Sequence, residues 1–484
     1  MKKNHFPILT VLAALLLASV VSCGDTQTGQ PLSTEADGIE NTAETSADAD
    51  PFAGTDFGAK EFLFATENKD AALMQYASIE IYSEGLDGSL INDTVYQRNV
   101  KIEDTYNCRI REDKQILVSG VDNKSVMAGE PLYDIVMPYM NDSIKNAELG
   151  EYVDLLSVGT LDLTNPWWDQ RANDNMKLNN KLYMTTGDIS ILDNDCTMVL
   201  FFNKKMAAEN DLESPYDAVY NGTWTVDRLF SMSYQLSADL NGDDKMKVAD
   251  DRFGFSCAMN APHSFFFGTG ERITTNDADG NLSLTMYNSR SAEALDKILT
   301  SCLDKRNLGN APFDDVTKAF LENRIFCVSW ALVDINFIRS AEFDFGILPY
   351  PKYDEQQKEY YCLISTGLVP GVSIPITNPD PEQAGTLLEI MASASVDTLT
   401  PAYYETALKN RYMRDEESGG MLDIIFSSRV YDFGYIRDIG GLGSLIQSMY
   451  GSKKTDFSSM YQQKESQALA ALEEMTAAFN SLDQ

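Results

Sequence analysis

Short apolar runs alternate with an amphipathic segment between residues 57 and 138, and that alternation restricts the fold more than any other feature of the chain. Glu61-Phe62-Leu63-Phe64-Ala65-Thr66 suits a buried strand, Leu90 to Tyr106 carries apolar residues at helical spacing, and Tyr133-Asp134-Ile135-Val136-Met137-Pro138 suits a second strand. Strand, helix and strand in this order predict an α/β chain with a parallel sheet and crossover connections. Ligands of such sheets bind beyond the carboxyl ends of the strands. The loops after Ala65 and Pro138 are therefore candidate binding segments, with Glu67 and Asn68 in the first and Tyr139 and Asn141 in the second.

The chain has 484 residues, enough for two or three domains, and its 44% hydrophobic content excludes disorder throughout. Its formal charge is -35, from 73 acidic and 38 basic groups. So negative a surface repels polyanions, which excludes nucleic-acid binding. An anionic bilayer repels it too, so any membrane attachment has to be covalent or apolar.

The N-terminus offers one. Met1 to His5 is a short basic start, and Phe6 to Val21 is a nearly unbroken apolar run. The run is about 15 residues, short of the roughly 20 needed to span a bilayer, so 1–22 reads as an export signal. Val20-Val21-Ser22-Cys23 resembles the bacterial lipobox, which implies a diacylglycerol on Cys23 after cleavage. Residues 23–55 then contain few large apolar side chains and read as a flexible acidic tether.

Beyond Cys23 the cysteines are Cys108, Cys196, Cys257, Cys302, Cys327 and Cys362, with no Cys-x-x-Cys pair. They suit buried small hydrophobes or one or two disulfides better than a metal cluster. The only histidines are His5 and His263, which excludes a His-rich zinc site.

The middle of the chain carries Asn165-Pro166-Trp167-Trp168-Asp169, then Lys181-Leu182-Tyr183-Met184, the β-prone stretch from Cys196 to Lys205, and Gly222-Thr223-Trp224-Thr225 with Thr225 placed to cap a helix. Farther on come Asn323 to Trp330, Gly346 to Lys352, and Pro401-Ala402-Tyr403-Tyr404. In order and spacing these segments resemble extracellular solute-binding proteins of family 1, the lipoprotein receptors of carbohydrate ABC importers, over most of residues 57–480.

The resemblance implies a two-lobed, type II periplasmic-binding-protein-like fold with the ligand cleft between the lobes. By analogy one lobe is 56–187 plus 366–425 and the other 188–365 plus 426–484. Gly187 to Ser190 and Ser365 to Gly367 are the expected crossings, and Gly187 is expected to absorb hinge dihedrals. A sugar has apolar C–H faces and hydroxyl edges, so a cleft for it needs aromatic platforms beside polar side chains. The best groupings are Trp167 and Trp168 with Asp169, Trp330 with Asp334, and Tyr403 with Tyr404; Trp224 is assigned to the core. The two lobes are expected to close over a sugar stacked on Trp167, Trp168 and Trp330.

Asp239, Asn241, Asp243, Lys245 (through its carbonyl) and Asp250 match EF-hand positions one, three, five, seven and twelve. Asp244 stands where the turn prefers glycine, and Asp250 where a longer Glu is usual. The alternatives are a structural Ca2+ and a solvated acidic turn; no other cofactor is expected. The expected partners are a carbohydrate, the permease subunits of an ABC importer, and the outer face of a bacterial cytoplasmic membrane through the lipid, with the protein itself a monomer. A surface-tethered carbohydrate-active enzyme, using two of the many carboxylates, is the alternative from another class. A receptor for a peptide or another polar solute is a third reading.

Overall fold

A computed structural model describes residues 50–68, 76–277, 280–365, 367–406 and 417–482. The expected signal, Cys23 and residues 24–49 of the tether lie outside the described residues. Among the described residues no helix is long and apolar enough to cross a membrane.

The first lobe is built on β1 (Lys60–Glu67), α1 (Leu90–Tyr106), β2 (Cys108–Gln115), α2 (Val118–Ala128), β3 (Ile135–Met137) and α3 (Met140–Glu148). Its sheet has the order β2-β1-β3, parallel throughout, with Phe64 paired to Glu112 on one side and Ile135 on the other. Phe62, Phe64, Ile135, Val136 and Met137 are fully buried, as parallel strands covered on both faces require. Beyond β3 two later segments add antiparallel bridges, Val136 with Ser373 and Thr185 with Val372.

The second lobe contains β4 (Met198–Asn203), β5 (Phe253–Ser256), the hairpin β6 (Thr274–Asn276) and β7 (Leu282–Leu284), β8 (Ile325–Ala331) and β9 (Phe345–Leu348). Its main sheet has the order β5-β8-β4-β9. β5 runs parallel to β8, and β4 antiparallel to β8 and β9. Every residue of β4 and β8 is buried. Trp224 is also buried, donating its indole N–H to the Pro349 carbonyl at 3.0 Å, while Thr225 caps the next helix by accepting from the Arg228 amide. All six described cysteines are buried free thiols.

Among the described residues two segments join the lobes. The first, 188–197, and the second, 364–365 with 367–369, meet through the Thr197–Ile364 bridge and the Ser365 amide donating to the Cys196 carbonyl at 3.0 Å. Beside them β11 (Arg429–Val430) pairs in parallel with β10 (Cys362–Leu363). Gly187 matters at the first crossing for space rather than for its dihedrals: a Cβ there would collide with the Trp167 carbonyl and the Trp168 backbone.

The lobe boundaries differ from the expectation in two places. The helix Glu417–Ser427 lies on the second lobe, where Ser418 Oγ is 2.8 Å from the Tyr216 hydroxyl, so the return precedes residue 417 instead of following 425. The C-terminal helix Phe457–Ser481 serves both lobes. Near its start Tyr461 stacks on Tyr287 at 4.7 Å, and near its end Phe479 packs on Tyr183 at 5.4 Å. Its apolar periodicity marks it as a packing element without saying which surface it packs on.

Candidate ligand cleft

β5 and β8 run parallel, so their carboxyl ends open on the same side of the second lobe. Past β8 the chain turns into the short helix Leu332–Phe337, and Asp334 closes that turn by accepting from the Ala331 amide at 3.1 Å. Its other oxygen accepts from the Tyr76 hydroxyl at 2.9 Å. Tyr76 belongs to the first lobe, so this hydrogen bond spans the cleft. Burial pushes the Asp334 carboxyl up to about 6 against the opposing pull of those two donors.

These residues wall a cavity of about 250 Å3, lined also by Ser256, Asn260, Asn310 and Trp330. Trp330 is only 5% exposed, and Phe313, Phe320 and Phe201 support it with ring centroids at 5.1, 6.3 and 6.4 Å. Close by, Asp195 accepts from the Tyr403 hydroxyl at 2.8 Å. Burial, reinforced by Glu80, Asp193 and Asp334, raises Asp195 to about 7 against the pull of Tyr403. The cleft base is therefore acidic, aromatic and rich in side-chain oxygen and amide groups, a donor and acceptor set suited to hydroxyls.

Of the residues singled out in the sequence, Trp330 and Asp334 come together here. The others go elsewhere. Glu67 accepts from the Val118 amide at 3.1 Å and so serves the start of α2, and the Asn68 amide prolongs the β1–β2 ladder to the Gln115 carbonyl. Tyr139 is buried at the start of α3, where burial first and then Glu67 raise its pKa. Asn141, one residue into that helix, keeps its Oδ1 buried without a hydrogen-bond partner.

Trp167 and Trp168 are not platforms facing Trp330. Both indole N–H groups donate to the Glu389 carboxylate, at 2.7 and 3.0 Å, and Trp168 is 2% exposed. Glu389 sits on the helix Pro381–Val396, more than two hundred positions away, so no local signal announces the contact. Asp169 caps a helix at the Ala172 amide and pairs with Arg429 at 2.8 Å. Together with Tyr404 these residues surround a separate hollow of about 120 Å3. Tyr403 is buried through its bond to Asp195.

Sequence reasoning missed Tyr76, Asn260 and Asn310. Asn260 had a signal, since it stands directly before the Ala-Pro start of the helix Ala261–Gly268 at the end of β5. For Tyr76 and Asn310 there was none.

In the calcium-like loop, Asp239 accepts from the Gly242 and Asp244 amides, Asn241 from Asp243, and Asp243 from Lys245. The Lys247 ammonium takes the remaining Asp243 oxygen at 2.6 Å. The loop is closed by the fully buried Asp251, which accepts from Leu240 and Lys247, and not by the exposed Asp250. Among the described residues no group of three Asp, Glu, His or Cys side chains converges on a common metal position.

No protein-family model and no curated protein matches the chain. Solved structures do. UspC of M. tuberculosis is 13% identical over 85% of this chain and 100% of its own, with a TM-score of 0.55. A cyclo/maltodextrin-binding protein complexed with maltotetraose gives 13%, 88%, 97% and 0.54. An ABC substrate-binding protein, Lmo0181 from Listeria monocytogenes, in complex with cycloalternan gives 13%, 87%, 98% and 0.52. The chain has the two-lobed, type II periplasmic-binding-protein-like fold. The cavity at Trp330 lies between the two lobes of that fold.

Proposed function

We propose that the protein is an exported receptor that captures a sugar or oligosaccharide and hands it to an ABC importer. The observation that carries this reading is the cavity at the carboxyl ends of β5 and β8, where Trp330 and Asp334 face Tyr76 from the other lobe. An aromatic surface beside hydroxyl, amide and carboxylate groups is what a pyranose needs. The sugar ligands of the similar solved proteins agree with it. The receptor does no chemistry and needs no cofactor, acts as a monomer, and meets the permease subunits at the outer face of the cytoplasmic membrane. Cys23 holds it there through a lipid.

Calorimetric titration of the purified protein with mono- and oligosaccharides, with product analysis of each mixture, tests the reading. Saturable binding without cleavage is expected. Cleavage would instead establish the tethered enzyme, and binding of peptides but no sugar would establish a different receptor. Cys23→Ser is expected to release the body into the medium or leave an uncleaved precursor; unchanged membrane fractionation with normal processing would remove the anchor from the proposal.

A further inference from the structure

The second lobe also touches the first through residues that belong neither to a chain crossing nor to the cavity at Trp330. In the hairpin β6–β7 the Asn276 side-chain amide donates to the Lys177 carbonyl at 2.6 Å and to the Asn175 carbonyl at 3.3 Å. The Gly280 carbonyl, after the turn, accepts from the Asn179 backbone amide at 3.2 Å. At the end of the C-terminal helix, Asn480 Oδ1 accepts from the Asn179 side chain at 2.6 Å and Phe479 packs on Tyr183. The Leu482 side chain takes the space beside Gly150, where a Cβ would stand 2.9 Å from it. Farther along, Arg437 pairs with Glu148 at 2.8 Å. Hairpin and helix end therefore meet on one strip of the first lobe, with Asn179 bonded to both.

The sheet of the first lobe shows where that strip lies. Val136 of β3 bridges Ser373, and Thr185 bridges Val372, both antiparallel. The stretch from Lys181 to Gly187 therefore runs parallel to β3 and reaches the crossing at 188 with its last residue. Its start is about 20 Å from that crossing, at ~3.3 Å per residue. Tyr152 bridges Pro375, two positions past Ser373 toward the same remote end, which puts Glu148 and Gly150 there as well. A rotation of about 15° about the crossings moves points at that distance by about 5 Å, more than a hydrogen bond tolerates. Contacts beside the crossings would hardly move. The strip is thus placed where opening of the lobes is felt most, and it is held by single side chains of a hairpin and a helix end, which can let go without unfolding either lobe.

We infer that the hairpin β6–β7 and the last turn of the C-terminal helix form a clasp on the first lobe that restrains opening of the cleft in the unliganded protein. The clasp biases the open–closed equilibrium toward the closed form before any ligand adds its own contacts.

The test needs no ligand, so it is independent of what the receptor binds. Asn276→Ala, Phe479→Ala and the double variant are compared with wild type by small-angle scattering of the unliganded protein and by amide hydrogen exchange, with a thermal melt of each as the folding control. Tyr461→Ala is the control on the same helix, because Tyr461 stacks on Tyr287 within the second lobe. The scattering radius is expected to rise in each clasp variant and most in the double one, where the Asn179 amide should exchange about tenfold or more faster than in wild type. Tyr461→Ala should melt lower and keep the wild-type radius. Should the double variant fail to fold, the two single variants carry the same readout. A wild-type radius and an equally protected Asn179 amide in the folded clasp variants, or a Tyr461→Ala protein that expands as much as they do, would make these contacts a fixed packing surface and overturn the inference, while leaving the receptor reading as it stands.

Discussion

At the level of single residues the decisive comparison is between Trp330 and Trp168. Both are buried, but Trp330 lines the cleft cavity whereas Trp168 donates to Glu389. Trp168→Phe keeps the ring and removes one donor from a buried carboxylate. It is expected to lower stability by about 1–3 kcal/mol and leave sugar affinity unchanged. Trp330→Ala should weaken sugar binding by about 1–3 kcal/mol as a central aromatic contact. Because its ring also packs on three phenylalanines, it should in addition lose about 3–5 kcal/mol of stability. Denaturant melts and calorimetric titrations of the two variants check this; a Trp168→Phe protein that binds as poorly as Trp330→Ala would move the site. Trp330 was singled out in the sequence because an aromatic and Asp334 stand within five positions of each other. Trp168 was misread because its partner is remote in the chain, so its local pattern of aromatics beside an acid looked the same.

Among elements, the apolar strands were the easiest to read, since Phe62 to Ala65 in β1, all of β3 and Met198 to Phe202 in β4 are short apolar runs with no need for periodicity. The short strand beside the crossings was invisible. β11 is two residues long, and its Arg429 pairs with Asp169 at 2.8 Å and Asp193 at 3.0 Å, residues from two other parts of the chain. Burial opposes the charge on Arg429, but Asp193, Tyr431 and Asp169 outweigh it and raise its pKa. The loop from Asp239 to Asp251 shows how spacing can be right and the closing residue wrong. Asp251, one position beyond the expected closing residue, is fully buried and holds two amides of the loop. Asp251→Ala should therefore cost about 1–3 kcal/mol of stability by leaving those amides without acceptors, more than Asp239→Ala with Asp243→Ala on the exposed arc. The melt of the wild type is expected to be the same with and without a chelator; a chelator-dependent fall in melting temperature abolished by the double variant would instead establish bound calcium.

At the scale of the whole molecule the two-lobed α/β plan was legible, because strand–helix–strand order dictates a parallel sheet and the order of later segments supplied the second lobe. The plan yields a pair of lobes tied across the cleft by Tyr76 and Asp334, with the described chain crossings bridged to each other at Thr197 and Ile364. Tyr76→Phe removes the hydrogen bond to a buried carboxyl and should shift the unliganded protein toward the open form. Its scattering radius should increase, and since a ligand touching both lobes must then also close them, sugar affinity should fall by up to roughly tenfold. An unchanged radius and affinity would mean that this bond does not hold the lobes. The acids also set a pH dependence for the molecule as a whole. Burial pushes Glu112, Asp122 and Asp195 up to about 7 and Asp334 up to about 6, against ordinary values of 4.5 for Glu and 3.8 for Asp. Between those values and the raised ones the folded chain holds protons that the unfolded chain has released, so stability declines as pH rises through that window. Their contribution is fully present below about 4 and lost above about 7. Self-repulsion in a chain of formal charge -35 acts in the same direction, because protonation relieves it. The melting temperature should therefore be higher at pH 5 than at pH 8, and Asp122→Asn should narrow the difference by removing one of the groups that must ionise in a buried site. A melting temperature that instead rose from pH 5 to pH 8 would mean that these buried acids do not govern the pH dependence of the fold.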